Sequence, residues 1–267
     1  MRRLQRSIEH RRSPSGAFLP VRHLGDPLID APALVAPFDA AQPAMLDLLD
    51  RIDAHDADLG RFGGPAPAPR FEQAWFPGLD AAAAYALVRH RRPQRIVEIG
   101  SGHSTRVLAR AIADGGLATE FVAIDPAPRA PLLDLDVRWQ RHPVQGSGEA
   151  LVAALEPGDV LFVDSSHVLV AGSDVAWIWL RLLPLVRPGV LVHVHDVFLP
   201  DAYPAAWTWR GYNEQAAVLP LLLGGWTILF ASRFLRRHRR ALLAGRTAER
   251  LPLLPGVDET SLWLCRD

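Results

Sequence analysis

Four side chains that can handle protons stand directly after two short apolar runs of the chain. Asp164 and His167 follow one run, and His195 and Asp196 end another. A histidine titrates near neutrality and can take the proton of a hydroxyl nucleophile, whereas Mg²⁺ prefers carboxylate oxygens. We therefore predict His167, His195 and Asp196 as catalytic residues and Asp164 and Asp196 as metal ligands. Packed, hydrogen-bonded strand histidines are the structural alternative.

A glycine-rich turn follows an earlier apolar run. It contains Gly100, Ser101 and Gly102, and Glu98 stands two positions before it. Glycines between a strand and a helix let backbone amides approach a ligand closely. The dinucleotide fingerprint needs a third glycine where Thr105 stands. A carboxylate at position 98 disfavours a pyrophosphate and suits a cationic sulfonium, so the turn predicts S-adenosylmethionine rather than NAD, with Glu98, Gly100, Ser101 and Gly102 as cofactor-binding residues.

Two further segments are candidates for the nucleoside part of the same ligand. Asp125 ends the next apolar run, 25 positions after Gly100, where a carboxylate can accept the ribose hydroxyls. The alternative is an ordinary Asp-Pro turn. Gly146 and Ser147 precede a short helix and are predicted at the adenine edge, although a plain turn explains them almost as well. Asp164 is also predicted to contact the cofactor.

Aromatic side chains are dense in the loop after Asp196. Tyr203, Trp207 and Asn213 lie in this loop, and Trp75 lies much earlier in the chain. Loops after a catalytic strand often form substrate pockets or lids. We predict these four residues at the site of a small-molecule acceptor, with simple packing of the aromatic rings as the alternative.

The elements that must position these residues alternate between two kinds. Apolar runs without polar alternation indicate parallel strands buried on both faces, and repeated strand–helix–strand units indicate a doubly wound α/β sheet of Rossmann-like type. Two later runs predict an antiparallel hairpin at one edge. The predicted strands are 96–99, 121–124, 160–163, 190–194, 226–230 and 261–264, with a weak strand at 137–144; the helices between them are 105–113, 150–155 and 175–185.

The first 70 residues differ from the rest. Residues 1–35 are rich in Arg, Pro and Gly and predict an irregular arm, and residues 40–53 predict an amphipathic helix. A Gly- and Pro-rich stretch at 63–69 reads as a linker. We predict an N-terminal arm and helical extension over 1–70 and the main domain over 71–267, whose first helix, 80–91, has Asp80 as its N-cap.

The composition limits the classes of binding partner that the sequence predicts. The 267 residues have a formal net charge of zero, which gives no reason to expect nucleic acid. Two arginine-rich runs, at 2–12 and 236–240, are predicted as solvated surface. The longest uncharged stretch, 216–231, is too short for a membrane span and is interrupted by Pro and Gly. The single cysteine, Cys265, favours a reducing cytoplasm. The sequence is compatible with a homo-oligomer.

Taken together, these motifs resemble the class I S-adenosylmethionine-dependent methyltransferases. Within them the chain looks most like bacterial small-molecule enzymes related to the catechol O-methyltransferase branch, over roughly residues 75–232. The resemblance implies a seven-stranded sheet with an antiparallel edge, and it implies Glu98, Gly100 and Gly102 around the methionine part and Asp125 at the ribose. The matching stretches are 97–102, Asp125, 163–167 and 193–196.

The resemblance also implies chemistry at the reacting end. In the catechol branch the aspartate after the fourth strand binds Mg²⁺, and a lysine three residues later acts as the base. Asp164 matches that aspartate, and His167 stands at the lysine position. The branch has Asp-Asn after the next strand, whereas here Val197 follows Asp196, so Mg²⁺ would need Asn213 or water as a ligand.

We therefore predict an S-adenosylmethionine-dependent methyltransferase that acts on a small molecule, at a hydroxyl. One alternative is an NAD-dependent oxidoreductase, against which Glu98 and the missing third glycine argue. Another is a non-catalytic nucleotide-binding regulatory module. The acidic and histidine cluster argues against that module, because a pure binding protein needs no acid–base set.

Overall fold

The computed structural model describes residues 30–132 and 134–267. The early arginine-rich run and most of the predicted irregular arm lie outside the described residues. The strands are β1 Arg95–Ile99, β2 Glu120–Ile124, β3 Arg138–Gln140, β4 Val160–Val163, β5 Leu191–Val194, β6 Trp226–Ala231 and β7 Leu262–Arg266. The α-helices are α1 Val35–Ala40, α2 Gln42–Ala54, α3 Asp56–Leu59, α4 Gly78–Arg91, α5 His103–Asp114, α6 Gly148–Ala153, α7 Asp174–Trp177, α8 Gln215–Leu222, α9 Ser232–His238 and α10 Thr247–Arg250.

The seven strands form one sheet in the order β3-β2-β1-β4-β5-β7-β6. The first five are mutually parallel, and β7 runs antiparallel to both β5 and β6. Every residue of β4 and β5 is buried, as expected of strands covered on both faces. The predicted doubly wound sheet and its antiparallel edge are therefore confirmed.

Two predicted elements differ in form from the sequence reading. The weak strand predicted at 137–144 is reduced to the three residues of β3, which lies at the sheet edge and is half exposed. The long helix predicted at 175–185 is divided into α7, a π-helical turn at Ile178–Leu182 and a 3₁₀ turn at Leu183–Leu185. Pro184 in the last turn has no N–H to donate, so an α-helix cannot continue regularly there.

The N-terminal helices share the core of the sheet. Four apolar residues of α2 are fully or almost fully buried, and α2 packs against α4 and β6. Phe38 of α1 stacks on Phe234 of α9 with ring centroids 5.0 Å apart. The buried residues of α2 are the predicted face, Met45, Leu48, Leu49 and Ile52. This part of the chain is thus built into the main core.

The second arginine-rich run does not behave as a purely solvated surface. Arg236 donates from Nε and Nη2 to the buried carboxylate of Glu259, and Arg239 pairs with Asp39 of α1. These side chains join α9 to the last loop and to the N-terminal helices. Among the helices of the described residues, none is long and apolar enough to cross a membrane.

Candidate active site

A cavity of about 380 Å³ opens at the carboxyl ends of β1, β2 and β4. Parallel α/β sheets bind ligands at this edge, and the volume is within the range of small-ligand sites. The cavity brings together many of the predicted site residues. Those that line it are Trp75, Gly100, Ser101, Gly102, Asp125 and Asp164.

Gly100 allows the closest backbone approach in this site. Its φ is +80°, and a Cβ added to it would lie 1.8 Å from the carbonyl oxygen of Asp164. No side chain fits in that distance, and L-residues rarely adopt that φ. Glycine at position 100 therefore lets the turn after β1 rest directly against the end of β4, which fixes one wall of the cavity.

Asp125 holds this turn from the side of β2. Its Oδ2 accepts hydrogen bonds from the backbone N–H of Ser101, at 2.7 Å, and from the Ser101 hydroxyl, at 3.0 Å. Its Oδ1 accepts from the N–H of Ala127 at 2.7 Å. The carboxylate thus faces the cavity in a fixed orientation, and Oδ1 retains lone-pair capacity for a ligand hydroxyl.

Glu98, predicted to contact the cofactor, lies beneath the turn and does not line the cavity. Its side chain is completely buried, and its two carboxylate oxygens accept hydrogen bonds from the hydroxyls of Ser104 and Thr105, at 2.6 and 2.7 Å. Burial raises the pKa of Glu98 to about 8, although both hydroxyls lower it. Glu98 therefore anchors the start of α5 to β1.

Gly146 and Ser147, which the sequence predicts at the adenine edge, do not line the cavity, whereas Val144 and Gln145 do. A Cβ on Gly146 would meet the ring of His142, and the Ser147 hydroxyl donates to the side-chain oxygen of Gln140. Those two residues are therefore turned toward neighbouring loops.

The acidic and histidine side chains predicted at the reacting end do converge. Nε2 of His167 lies 3.2 Å from Oδ1 of Asp164 and 3.4 Å from Oδ2 of Asp196. Nδ1 of His195 lies 3.5 Å from Oδ1 of Asp164 and 3.6 Å from Oδ1 of Asp196. Two carboxylates therefore share two imidazoles at the ends of adjacent strands.

Each imidazole is backed on its far side by a second buried carboxylate. Nδ1 of His167 lies 2.9 Å from Oε2 of Glu214, and Nε2 of His195 lies 3.3 Å from Oδ2 of Asp80. Asp80 is fully buried and also accepts the N–H of Thr260 at 2.9 Å. The arrangement consists of two histidine–carboxylate dyads, His167–Glu214 and His195–Asp80, with Asp164 and Asp196 between the two imidazoles.

Mutual pairing decides the ionisation of this cluster. Burial by itself would raise the pKa of Asp164, but the two imidazoles outweigh it and hold that pKa well below its usual range. Burial would likewise lower the pKa of His167 and His195, but the surrounding carboxylates raise both well above the ordinary value. At neutral pH the cluster therefore consists of imidazolium cations between carboxylates.

Two residues of the cluster have strained backbones. His167 has φ 59° and Asp196 has φ 54°, both in the left-handed region that non-glycine residues seldom adopt. Such conformations cost about 1–3 kcal/mol and persist where the surroundings enforce them, often at functional sites. Here they turn both side chains back toward Asp164.

His167 does not face the cavity, which changes the interpretation of the predicted base. Only 1% of its side chain is exposed, and both ring nitrogens are engaged by carboxylates. Among the members of the cluster, Asp164 lines the cavity, whereas His167, His195 and Asp196 lie behind it. These three residues can thus act on a ligand through Asp164.

The cluster does not fit the predicted magnesium ion. Oδ1 of Asp164 and both oxygens of Asp196 already face imidazole nitrogens, and the hydroxyl of Thr260 donates to Oδ1 of Asp196 at 3.2 Å. Within residues 30–132 and 134–267, no group of three or more His, Cys, Asp or Glu is arranged to hold a metal. Imidazolium groups supply the positive charge here.

The aromatic loop contributes less to the cavity than predicted. Trp75 lines it, but Tyr203, Trp207 and Asn213 do not. The Tyr203 hydroxyl accepts the N–H of Gln215, and the Asn213 side chain bonds both backbone groups of Leu169. These three predicted substrate residues therefore lie outside the cavity wall and shape the loop beside His167. Tyr212 of the same loop contacts the His167 ring, with ring centroids 4.8 Å apart.

Sequence reasoning missed the backing groups of the cluster. Asp80 is the third residue of α4 and not its N-cap, because the helix begins at Gly78 and Pro77 occupies the cap position. Glu214 also receives the indole N–H of Trp179 at 3.0 Å. A carboxylate inside an alanine-rich, otherwise apolar helix start was the available signal for Asp80.

Three solved structures that are similar to this chain are methyltransferases. The SAH-bound methyltransferase PaMTH1 of Podospora anserina is 16% identical, with 100% of this chain and 95% of that chain covered and a TM-score of 0.45. An O-methyltransferase of Bacillus cereus in complex with SAH is 16% identical, with 68% and 82% covered and a TM-score of 0.39. The O-methyltransferase TomG of Streptomyces achromogenes is 23% identical, with 68% and 80% covered and a TM-score of 0.35.

Among curated proteins, no sequence matches this chain significantly. The family comparison is more direct, because it matches the stretch that holds the glycine turn, Asp125 and the acidic and histidine cluster. Residues 97–197 match the family model of a methyltransferase domain. The stretch that carries the predicted motifs is therefore similar to a methyltransferase domain.

Proposed function

We propose that this protein binds S-adenosylmethionine in the cavity and transfers its methyl group to a hydroxyl of a small-molecule acceptor. One observation carries the proposal. Within the matched methyltransferase domain, a single small cavity is lined by the glycine turn, by Asp125 and by Asp164 of the acidic and histidine cluster.

The residues of the cavity suit the parts of this cofactor. Asp125 stands where ribose hydroxyls can donate to it, and the cavity beside Gly100 and Gly102 can take the methionine part. The four carboxylates of the cluster outnumber its two imidazolium groups, so the cluster attracts a cation. When bound, S-adenosylmethionine supplies a methyl group on a cationic sulfonium.

We assign proton handling to Asp164. Its carboxylate is the member of the cluster that reaches the cavity, so an acceptor hydroxyl can donate to it. The carboxylate accepts the hydrogen bond of the hydroxyl and orients it, and His167 and His195 hold the carboxylate in place from behind. Because the pKa of Asp164 is low, the proton released on methyl transfer passes on to water. Orientation of the hydroxyl supplies most of the remaining acceleration.

The first test is binding of the cofactor. Calorimetry with S-adenosylmethionine and, in a matched cell, NAD should show saturable binding of the first ligand alone. Asp125→Asn should weaken the binding roughly tenfold, because a charge-assisted hydrogen bond to the ribose is lost. Binding of NAD instead would make the oxidoreductase alternative the leading one, and binding of neither would refute the cofactor assignment.

The second test concerns the reacting atom and the base. A panel of hydroxyl- and amine-bearing small molecules with labelled S-adenosylmethionine should give a methyl ether as the product. Asp164→Asn should then lower kcat by roughly a hundredfold or more, the usual effect of removing a general base. Product formation on nitrogen would contradict the hydroxyl assignment, and unchanged turnover in the Asn variant would remove Asp164 as the base.

A further inference from the structure

The two imidazoles of the acidic and histidine cluster bridge the same pair of carboxylates. Nε2 of His167 lies 3.2 Å from an oxygen of Asp164 and 3.4 Å from one of Asp196. Nδ1 of His195 lies within 3.6 Å of an oxygen of the same two residues. Two singly charged rings between two carboxylates give the same charge balance as one divalent cation. Ring nitrogens therefore occupy the positions from which the aspartates would bind such an ion.

Carboxylates face both nitrogens of each ring. Nδ1 of His167 lies 2.9 Å from Oε2 of Glu214. Nε2 of His195 lies 3.3 Å from Oδ2 of Asp80. A neutral imidazole has one N–H and one lone pair, so its bare nitrogen would point at a carboxylate oxygen that can only accept. An N–H on both nitrogens satisfies every one of these contacts, and it makes each ring a cation.

The outer carboxylates are held in place by neutral donors. Glu214 is 1% exposed and receives the indole N–H of Trp179 at 3.0 Å. Asp80 is fully buried and accepts the backbone N–H of Thr260 at 2.9 Å. These donors fix both carboxylates without neutralising them, and a buried carboxylate normally has a cationic partner. The histidine beside each carboxylate is that partner.

We propose that methyl transfer by this protein needs no divalent metal ion, because the two imidazole rings of the cluster take the place of that ion between Asp164 and Asp196. Glu214 and Asp80 are then positioning residues, since neither lines the cavity and each acts on the site through a histidine. The rings hold the Asp164 carboxylate at the cavity wall, where an acceptor hydroxyl can donate to it. The inference deepens the proposed function and rests on it.

The metal requirement is tested on the wild-type protein. Elemental analysis should find substoichiometric divalent metal in protein purified without a chelator. With an acceptor from the hydroxyl-bearing panel, turnover in EDTA should equal turnover in added MgCl₂ within about twofold, because no step depends on the ion. Stoichiometric bound metal, together with a loss of turnover in EDTA that MgCl₂ restores, overturns the inference.

The ring nitrogens provide a measurement that needs neither cofactor nor acceptor. Histidine ¹⁵N NMR at neutral pH should show an N–H proton on both nitrogens of His167 and His195, and titration with MgCl₂ or ZnCl₂ should leave these signals unchanged. A ring nitrogen that lacks a proton, or that binds the added ion at stoichiometric concentration, overturns the inference. Ring signals as expected in a wild-type protein that does not bind S-adenosylmethionine would refute the proposed function instead.

Glu214→Gln tests the positioning role. The amide keeps the shape of the side chain and removes its charge, so the N–H at Nδ1 of His167 loses its ionic partner. We expect kcat to fall roughly 10- to 100-fold, the usual effect of removing an outer carboxylate that orients a histidine, with KM for S-adenosylmethionine unchanged within about twofold. The ¹⁵N signal of Nδ1 should move toward that of a neutral ring.

Glu259→Gln is the matched control. Glu259 is also buried, at 2% exposure, but it pairs with Arg236 outside the cluster, 2.9 Å from Nη2. This substitution should destabilise the fold, while kcat stays within about twofold and the His167 signals do not move. Equal losses of kcat in the two variants, or an unchanged ring signal in Glu214→Gln, would show that Glu214 is structural and would overturn its positioning role. If Glu214→Gln fails to fold, the wild-type spectra and the metal analysis still decide the proposal.

Discussion

Two acidic side chains at neighbouring strand ends have different partners, and their pKa values are shifted in opposite directions. Glu98, on β1, is surrounded by the hydroxyls of Ser104 and Thr105, and its pKa is raised to about 8. Asp164, after β4, is surrounded by the imidazoles of His167 and His195, and its pKa is held well below the usual range. The strands pair directly, so position in the sheet is not the cause of the difference.

The donors decide what each carboxyl group can do. Hydroxyls satisfy the oxygens of Glu98 without compensating a charge, so Glu98 serves as an anchor for the turn. Imidazolium groups stabilise the charge of Asp164, which therefore stays ionised at a cavity wall. The partners of a carboxyl group thus decide whether it anchors the structure or stays ionised at the cavity. The following substitutions test that contrast.

The largest effect is expected where the two regions touch. Gly100→Ala places a methyl group 1.8 Å from the carbonyl oxygen of Asp164, at a φ of +80°. Backbone on both sides must move, so we expect a loss of about 4 kcal/mol or more in the free energy of unfolding, and no detectable binding of S-adenosylhomocysteine. Urea unfolding and calorimetry measure the two quantities.

Gly116→Ala is the control for this substitution. Gly116 also has a positive φ, 54°, but an added Cβ meets nothing within 4 Å. We expect about 1 kcal/mol of destabilisation from backbone strain alone. Equal effects at positions 100 and 116 would show that close contact between the turn and β4 is unimportant.

A smaller loss is expected from breaking one dyad. His195→Ala leaves the buried carboxylate of Asp80 and the partly exposed carboxylate of Asp164 without that partner, and unpairing a buried charge costs about 3 kcal/mol. Urea unfolding at pH 7 measures it. Asp80→Asn, which keeps the shape but removes the charge, should cost less; if it costs as much, hydrogen bonding and not charge holds His195.

The pH dependence of stability should follow the histidines. The pKa values of His167 and His195 are raised in the fold above the ordinary 6.5, so their contribution is complete below about pH 6.5 and is lost as the pH rises through their folded pKa values. Glu98 acts in the same direction between about pH 4.5 and 8. Wild type should therefore lose stability as the pH rises above 6.5.

Variants separate the contributions to this loss. His167→Asn should flatten the pH dependence of stability above pH 6.5, and Glu98→Gln should flatten it mainly below pH 8. His142→Asn is the control, because this half-exposed ring is not part of the cluster, and it should leave the pH dependence unchanged. Thermal melts over the range provide the measurement. A wild-type curve that rises with pH would show that the histidines are neutral in the fold.

The smallest effect is expected at the anchor of the turn. Ser104→Ala removes one of the two hydroxyl donors to Glu98 and should cost about 1 kcal/mol at pH 7, because the carboxyl group keeps Thr105. Urea unfolding measures the cost. A loss as large as that of His195→Ala would show that Glu98 is ionised and depends on both hydroxyls, which would remove the contrast with Asp164.

The sequence predicted the fold and the edge of the sheet that carries the site, because both depend on local signals. Apolar runs of four or five residues located β1, β2, β4 and β5 to within one residue. Strand ends also located Asp125 and Asp164, since carboxyl ends of parallel strands meet at one edge.

The remaining features depend on tertiary contacts with no local sequence signal. Asp80 and Glu214 come from opposite parts of the chain to back His195 and His167, and neither pairing follows from spacing. The place of Glu98 outside the cavity wall has a related reason: its side chain bonds to two hydroxyls of α5. Direction relative to a cavity needs the packed structure.

The strand order also constrains how the protein is made. Among the described residues β7 is the last strand along the sequence, yet it lies between β5 and β6. A nascent chain that already contains β5 and β6 therefore cannot complete the sheet until β7 has been synthesised, and the edge of β5 stays open until then. A variant in which β7 cannot form leaves exposed strand edges in the middle of the sheet and a tendency to aggregate.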